Sequence, residues 1–237
     1  MKNETFERHL NNEKNHWWFK GRREILSSII KINFKKKSTI LDFGSGSGTN
    51  IDMLCKYGTV YIYEKNKKMK KYLKKKYSNS KKVIVVNNYK KFKYDLIIAA
   101  DVIEHIKNDK KAIKEIGGTL KKNGKILITV PAFQLLFSKK DEQLKHFRRY
   151  NINTLKILIK NFKTIKLTYF NFFLFIPLSF VIIILKTFKI DFIDYAEKTP
   201  NIFINKFFYY IFRMEKMLVN FINFPFGLSI IFLGQKK

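Results

Sequence analysis

Three glycines fall within five residues in LDFGSGSGTN: Gly44, Gly46 and Gly48. Residues without a Cβ let a chain bend sharply and admit a ligand close to the main chain. The stretch leaves an apolar run and opens a helical one, which places that ligand near a helix N-terminus. The spacing is G-x-G-x-G. A dinucleotide site would want its last glycine at position 49, which is Thr49. Two acids accompany the turn: Asp42, two residues before it, and Glu64, which ends the next apolar run, VYIYE. A carboxylate in that place can accept both hydroxyls of a ribose.

A second set of residues suits proton transfer. The four histidines are His9, His16, His105 and His146. His105 stands in DVIEHI, and His146 stands in KHFRRY with Arg148 and Arg149. An imidazole can serve as a base or orient an acceptor, and neighbouring guanidinium forks can bind an anion. The same residues can instead cap local carboxylates such as Asp141 and Glu142.

These groups need elements to hold them. Residues 3 to 32 read as helix, with Ile25, Ile29 and Ile32 on one face. STILDFG, TVYIYE, KKVIVVNN and YDLIIAAD read as strands, with NIDMLCKYG and KNKKMKKYLKKKY as helices between them. DKKAIKEIGGTLKKNGKILITVP reads as helix, turn at Asn123-Gly124, and strand. NINTLKILIKNF is a capped helix, and TIKLTYFN and LSIIFLGQKK are strands. Strands alternating with helices predict an α/β domain with a mostly parallel sheet covered on both faces.

Composition narrows the class. With 48 Lys and Arg against 18 Asp and Glu, the chain carries +30. That favours a polyanionic neighbour, anionic lipid or nucleic acid. AT-rich coding equally explains a chain rich in Lys, Asn, Ile, Phe and Tyr, and only six of the cations are arginine. The single cysteine, Cys55, rules out a disulfide framework and fits a reducing compartment. The N-terminus lacks the apolar stretch of a secretory signal, so a cytoplasmic location is expected.

The ILDFGSGSG turn, Glu64, FKYDLIIAADVIEHI and LKKNGKILITVPA together resemble the class I S-adenosylmethionine-dependent methyltransferases. The resemblance implies a Rossmann-like seven-stranded, mostly parallel sheet with helices on both faces, and S-adenosyl-L-methionine as cofactor. It implies cofactor contacts from Asp42, Gly44, Ser45, Gly46, Gly48, Glu64 and Asp101. Where the family often has Asp beside adenine, this chain has Asn87 and Asn88, and Asn88 is the expected contact. NEKNHWWFKGRREIL, DEQLKHFRRY and PFGLSIIF are similar to a bacterial subgroup associated with cell-surface glycan and lipid modification. Trp17, Trp18 and Phe19, beside Arg22 and Arg23, suit core packing of an N-terminal helix as well as a lid over the cofactor, and the resemblance favours the lid. Residues 1–35 are then an N-terminal helical cap and residues 36–237 the methyltransferase domain, with an apolar helical insertion at 172–224.

His146, Arg148, Arg149 and His105 are the catalytic candidates. Asp101, Glu104 and His105 also resemble the metal-binding E-x-x-E-H stretch of ubiquinone-pathway O-methyltransferases. D-V-x-E-H is widespread in methyltransferases that need no metal, so no metal is expected.

The apolar run LTYFNFFLFIPLSFVIIIL is about long enough to cross a bilayer. If LSIIFL lies antiparallel beside TIKLTYFN, a single crossing would strand it on the wrong side. A return crossing would carry Lys206, Arg213, Glu215 and Lys216 through the bilayer centre, at about 2.5–3.5 kcal/mol each. The expectation is a peripheral hairpin lying on the inner face of an anionic membrane. A dimer interface or a self-packed lid is the alternative. The expected function is methyl transfer to a hydroxyl, or an amine or carboxyl, of a small or lipid-linked, glycan or isoprenoid-like acceptor. An RNA methyltransferase and a non-catalytic cofactor-binding protein stand behind it. Nucleic acid is disfavoured because AADVIEH replaces the Asn/Asp-Pro-Pro-aromatic run of base-amine methylation.

Overall fold

The computed structural model describes residue 10 and residues 14–34, 37–188 and 199–237. Most of the expected helix before residue 14, and the acidic stretch 191–198, lie outside the described residues. The apolar runs form strands β1 (Ser38–Phe43), β2 (Gly58–Tyr63), β3 (Val83–Val85), β4 (Tyr94–Ala100), β5 (Leu120–Pro131), β6 (Phe162–Phe170) and β7 (Ser229–Lys236). Helices are α1 (Trp17–Asn33), α2 (Ile51–Leu54), α3 (Lys67–Lys76), α4 (Asp109–Gly118), α5 (Lys139–Gln143), α6 (Ile152–Leu158), α7 (Phe175–Thr187) and α8 (Ile202–Leu218).

The seven strands form one sheet in the order β3-β2-β1-β4-β5-β7-β6. All pairs are parallel except those of β7, which runs antiparallel to both β5 and β6. The Rossmann-like α/β fold implied by the sequence is therefore the fold observed, with its last strand beside TIKLTYFN as expected. Central strands read as unbroken apolar runs because both their faces are covered. Leu96, Ile97, Ile98 and Ala99 of β4 are wholly buried, as are Ile126, Leu127 and Ile128 of β5. The lysine-rich α3 sits on the sheet through Met69 and Leu73, leaving its cations in water.

Two local expectations differ. Ile32 is 65% exposed, because the buried stripe of α1 shifts to Leu26 and Ile30 toward its C-terminus. Asn123 adopts φ 62° inside β5, so the expected turn is a kink within a strand that runs back to Leu120.

α1 lies against α8. Trp17 packs on Phe208 and Phe212 at 5.4 and 5.7 Å between ring centroids. A Cβ on Gly21 would lie only 2.5 Å from the Phe212 ring, so the absence of a side chain permits this approach. Glu24 on α1 accepts from Tyr209 and, at 3.2 Å, from Lys216, both on α8. The chain between β6 and α7 is fixed by a buried acid: Glu215 of α8 accepts from the backbone N–H of Asn171 at 2.6 Å and of Phe173 at 3.1 Å. Among the described residues, no helix is long and apolar enough to cross a membrane.

Candidate active site

The reversal of strand order places β1 between β2 and β4, and open α/β sheets bind ligands at such a switch point. Register sets the geometry. Phe43 pairs with Tyr63, so the glycine turn after β1 emerges level with Glu64 after β2. Gly44, Gly46 and Gly48 all have positive φ, at 76°, 54° and 83°, which explains the choice of glycine along the turn. At Gly44 the space matters as well, since a Cβ would lie 2.7 Å from Val102. The Ser45 hydroxyl donates to the Asp42 carbonyl at 2.8 Å and tightens the bend. Asp42 is buried beneath it.

The Glu64 carboxylate accepts from the backbone N–H of Gly46 at 2.8 Å and of Asn66 at 2.6 Å. Two bonds use half of the roughly four lone-pair directions of a carboxylate, and the remainder can take a vicinal diol. Asn88 lies farther along the same edge, after β3. Its amide oxygen accepts from Lys90 N–H at 2.9 Å, which leaves the NH₂ group to meet an acceptor such as a base edge.

At the tip of β4, Asp101 sits at φ 55° and is held from two sides. Thr129 Oγ1 donates to it at 2.9 Å, and Arg22 of α1 pairs with its other oxygen. Arg22 is itself buried, with its guanidinium 4.9 Å from the Trp18 ring and 5.5 Å from Phe19. This pair ties α1 to the mouth of the sheet. Trp17 is buried in the α1–α8 seam and packs there as core, whereas Trp18 and Phe19 flank Arg22 and stay half-buried. Thr129 carries no signal in the sequence beyond its place near the end of β5.

The third wall comes from the turn after β4 and the loop after α5. Backbone N–H of Phe147 donates to the Glu104 carbonyl at 2.8 Å and locks the two together. His146 Nδ1 meets Asp141 Oδ1 at 2.8 Å, and the His146 and His105 rings lie edge to face at 4.5 Å. Asp141 is the hub of this wall. It accepts Arg149 Nε and Nη2 at 2.9 and 2.8 Å and caps Ser138 N–H at 2.9 Å. Burial alone would raise the Asp141 pKa, but the bonds from His146 and Arg149 hold it well below the usual carboxylate range. The Arg149 fork, expected to bind an anion, is thus turned toward Asp141. Arg148 likewise pairs with Asp109 at 2.8 Å and donates to the Lys107 carbonyl at 2.7 Å.

Glu104 is fully buried, and burial followed by the nearby charge of Asp101 pushes its carboxyl well above the usual range. The His105 ring is partly desolvated, which with the neighbouring His146 lowers its pKa, although the residue as a whole stays exposed to solvent. One ligand atom from each of Glu104, His105 and His146 lies within 4.8 Å of the others. The sequence expectation of a metal-free site did not foresee this convergence, because His146 is 41 residues from His105 and only the fold joins them.

A family model described as a methyltransferase domain matches residues 16–162, which contain the glycine turn, Glu64, Asp101 and all three residues of that wall. The chain belongs to this methyltransferase domain family. Solved structures of the same fold include a SAM-dependent methyltransferase from Archaeoglobus fulgidus, with TM-score 0.57 and 18% identity, covering 96% of this chain and 98% of that one. Phosphoethanolamine N-methyltransferase 2 from Haemonchus contortus, in complex with S-adenosyl-L-methionine, has TM-score 0.56 and 18% identity over 90% of this chain and 52% of that one. N-methyltransferase NodS from Bradyrhizobium japonicum, in complex with S-adenosyl-L-homocysteine, has TM-score 0.54 and 13% identity over 70% of this chain and 88% of that one. No curated protein matches the chain.

The methyltransferase's own residues fit S-adenosylmethionine. The open glycine turn suits a close-lying amino-acid moiety, the spare acceptor capacity of Glu64 suits a ribose, and Asn88 suits a purine edge. S-adenosylmethionine supplies a methyl group on a positively charged sulfur, already activated for displacement. The protein must mainly align the nucleophile and exclude water.

Proposed function

We propose that this methyltransferase transfers a methyl group to a hydroxyl, or less readily an amine or carboxyl, of a lipid-linked or isoprenoid-like acceptor presented at the inner face of an anionic membrane. One observation carries the reading: the apolar faces of α7 and α8 are open to solvent right beside the acceptor wall. Ile176 and Phe180 of α7 are 69% and 65% exposed, and Phe203 and Phe207 of α8 are 81% and 62% exposed. A helix apolar all round, as α7 is, ordinarily sits in a protein core or in lipid. Its thirteen residues span about 20 Å, short of a bilayer core, so it suits lying in one leaflet. Lys186 at its end donates to the Leu135 carbonyl at 3.1 Å, and Phe175 packs on Phe133 at 5.4 Å. Leu135 is 71% exposed and adjoins Gln134, which accepts from Arg149 N–H at 2.9 Å. An acceptor with its tail in the leaflet would reach the His105–His146 wall along this edge.

In this reading Glu64 and the glycine turn hold the donor, and the Arg22–Asp101 pair closes α1 against the mouth. Asp141 sets the His146 ring that orients the acceptor. Flotation tests the membrane arm. The wild type should float with phosphatidylglycerol vesicles and less with phosphatidylcholine, as the +30 charge favours an anionic surface. A protein carrying Phe180→Ser, Phe203→Ser and Phe207→Ser together should keep its fold, since all three are exposed, and stay at the bottom of the gradient. Equal flotation of that variant would contradict the proposal. So would label from methyl-labelled cofactor entering RNA and not the lipid extract, the outcome favoured if the charge serves nucleic acid.

A further inference from the structure

We propose that Glu104, His105 and His146 form a binding site for one divalent transition-metal cation, on the acceptor side of the cleft. Two independent observations meet here. The first is convergence: a carboxylate oxygen and one nitrogen from each imidazole lie within 4.8 Å of one another, brought together by the Phe147 to Glu104 backbone bond. The second is an unexplained polar group. Glu104 is 0% exposed, and among the described residues neither carboxylate oxygen has a hydrogen-bond partner. Buried carboxylates are ordinarily paired, hydrogen-bonded or bound to a metal.

The surroundings fit metal ligation. His146 gives Nδ1 to Asp141, so its Nε2 carries the free lone pair, and a carboxylate behind a histidine is the usual support of a metal-binding ring. Asp141 is in turn fixed by Arg149 and Ser138, so the ring is held on rigid partners. Asp101 is not a ligand in this arrangement. Its oxygens are engaged by Arg22 and Thr129, which separates this site from the Asp101-Glu104-His105 set that the sequence suggested. His146 takes the third place. Two imidazoles and one carboxylate favour Zn, Fe or Mn over Mg or Ca, at about 2.0–2.2 Å to each ligand. Three protein ligands leave positions open, and His105 is exposed, so solvent or an acceptor oxygen can enter. A cation there would draw electron density from an acceptor hydroxyl and ease its ionisation.

The test uses full-length protein stripped with a chelator and then titrated with Co²⁺ and Zn²⁺. Calorimetry should show one cation per chain, and Co²⁺ should give the visible absorption of a nitrogen- and oxygen-ligated ion. Glu104→Gln keeps the shape of the buried side chain, and His105→Ala changes an exposed one. Each should weaken cation binding about 100-fold or more. S-adenosylmethionine binding by the same variants should change less than threefold, which separates failure of this site from failure of the cofactor assignment. Absence of binding by the wild type up to millimolar metal, or variants that bind as the wild type does, would overturn the proposal.

Discussion

Glu64 is oriented before any ligand arrives, because two backbone N–H groups already hold its carboxylate at 2.6 and 2.8 Å. Arg22 has the corresponding part on the opposite wall. It is buried, stacked on Trp18, and paired with Asp101, which otherwise faces the buried Glu104 across the same turn. Removing one member of such a pair leaves a charge without compensation, so the pair and its single variants are not additive. Arg22→Met should lower stability by about 3 kcal/mol. Asp101→Asn added to Arg22→Met should restore a good part of that loss, because it removes the stranded charge. Calorimetric unfolding of the four proteins checks this, and losses that simply add would contradict the coupling.

At the level of elements, the junction between β6, α7 and α8 hangs on Glu215. Burial pushes its carboxyl up to about 7 from the ordinary 4.5, against the backbone N–H groups of Phe173, Asn171 and Phe172 that pull it down. The folded state therefore keeps a proton that the unfolded chain releases between these values. Stability from this group is fully present below about pH 4.5 and is lost as pH rises through about 7. Measured against Glu215→Gln, the wild type should lose about 3 kcal/mol across that window. Chemical denaturation at pH 4.5, 5.5, 6.5 and 7.5 reads the difference, and a constant gap between the two proteins would contradict it. The sequence exposed the strands around this junction but not the acid. Asn171 and Glu215 are 44 positions apart, and in sequence Glu215 looks like one more surface charge on an amphipathic helix.

Across the whole molecule, the strands, most of the helices between them and the glycine turn were legible because they rest on local periodicity and on glycines that a left-handed backbone requires. The antiparallel last strand, in contrast, was an expectation carried by the family resemblance, and the strand order came only with the fold. The acceptor wall was legible only as separate residues. Asp141, Arg149 and His146 stand close together in the chain, yet their joining to His105 and Glu104 depends on β4 and the loop after α5 meeting in space. For Trp17 the sequence left lid and core packing open, because aromatic density is the same in a core and over a pocket; its burial against Phe208 and Phe212 makes it core and depends on Gly21 being bare. On the opposite wall, the glycine turn and Glu64 are the proposed holders of S-adenosylmethionine. Titration calorimetry of the purified protein with S-adenosylmethionine tests this assignment most directly, comparing the wild type with a double variant, Gly46→Val and Glu64→Ala, whose fold is checked by circular dichroism. The wild type should show one site, and the variant an affinity at least about 100-fold weaker, the scale of losing charge-assisted hydrogen bonds. Equal affinity in the two folded proteins would contradict the assignment.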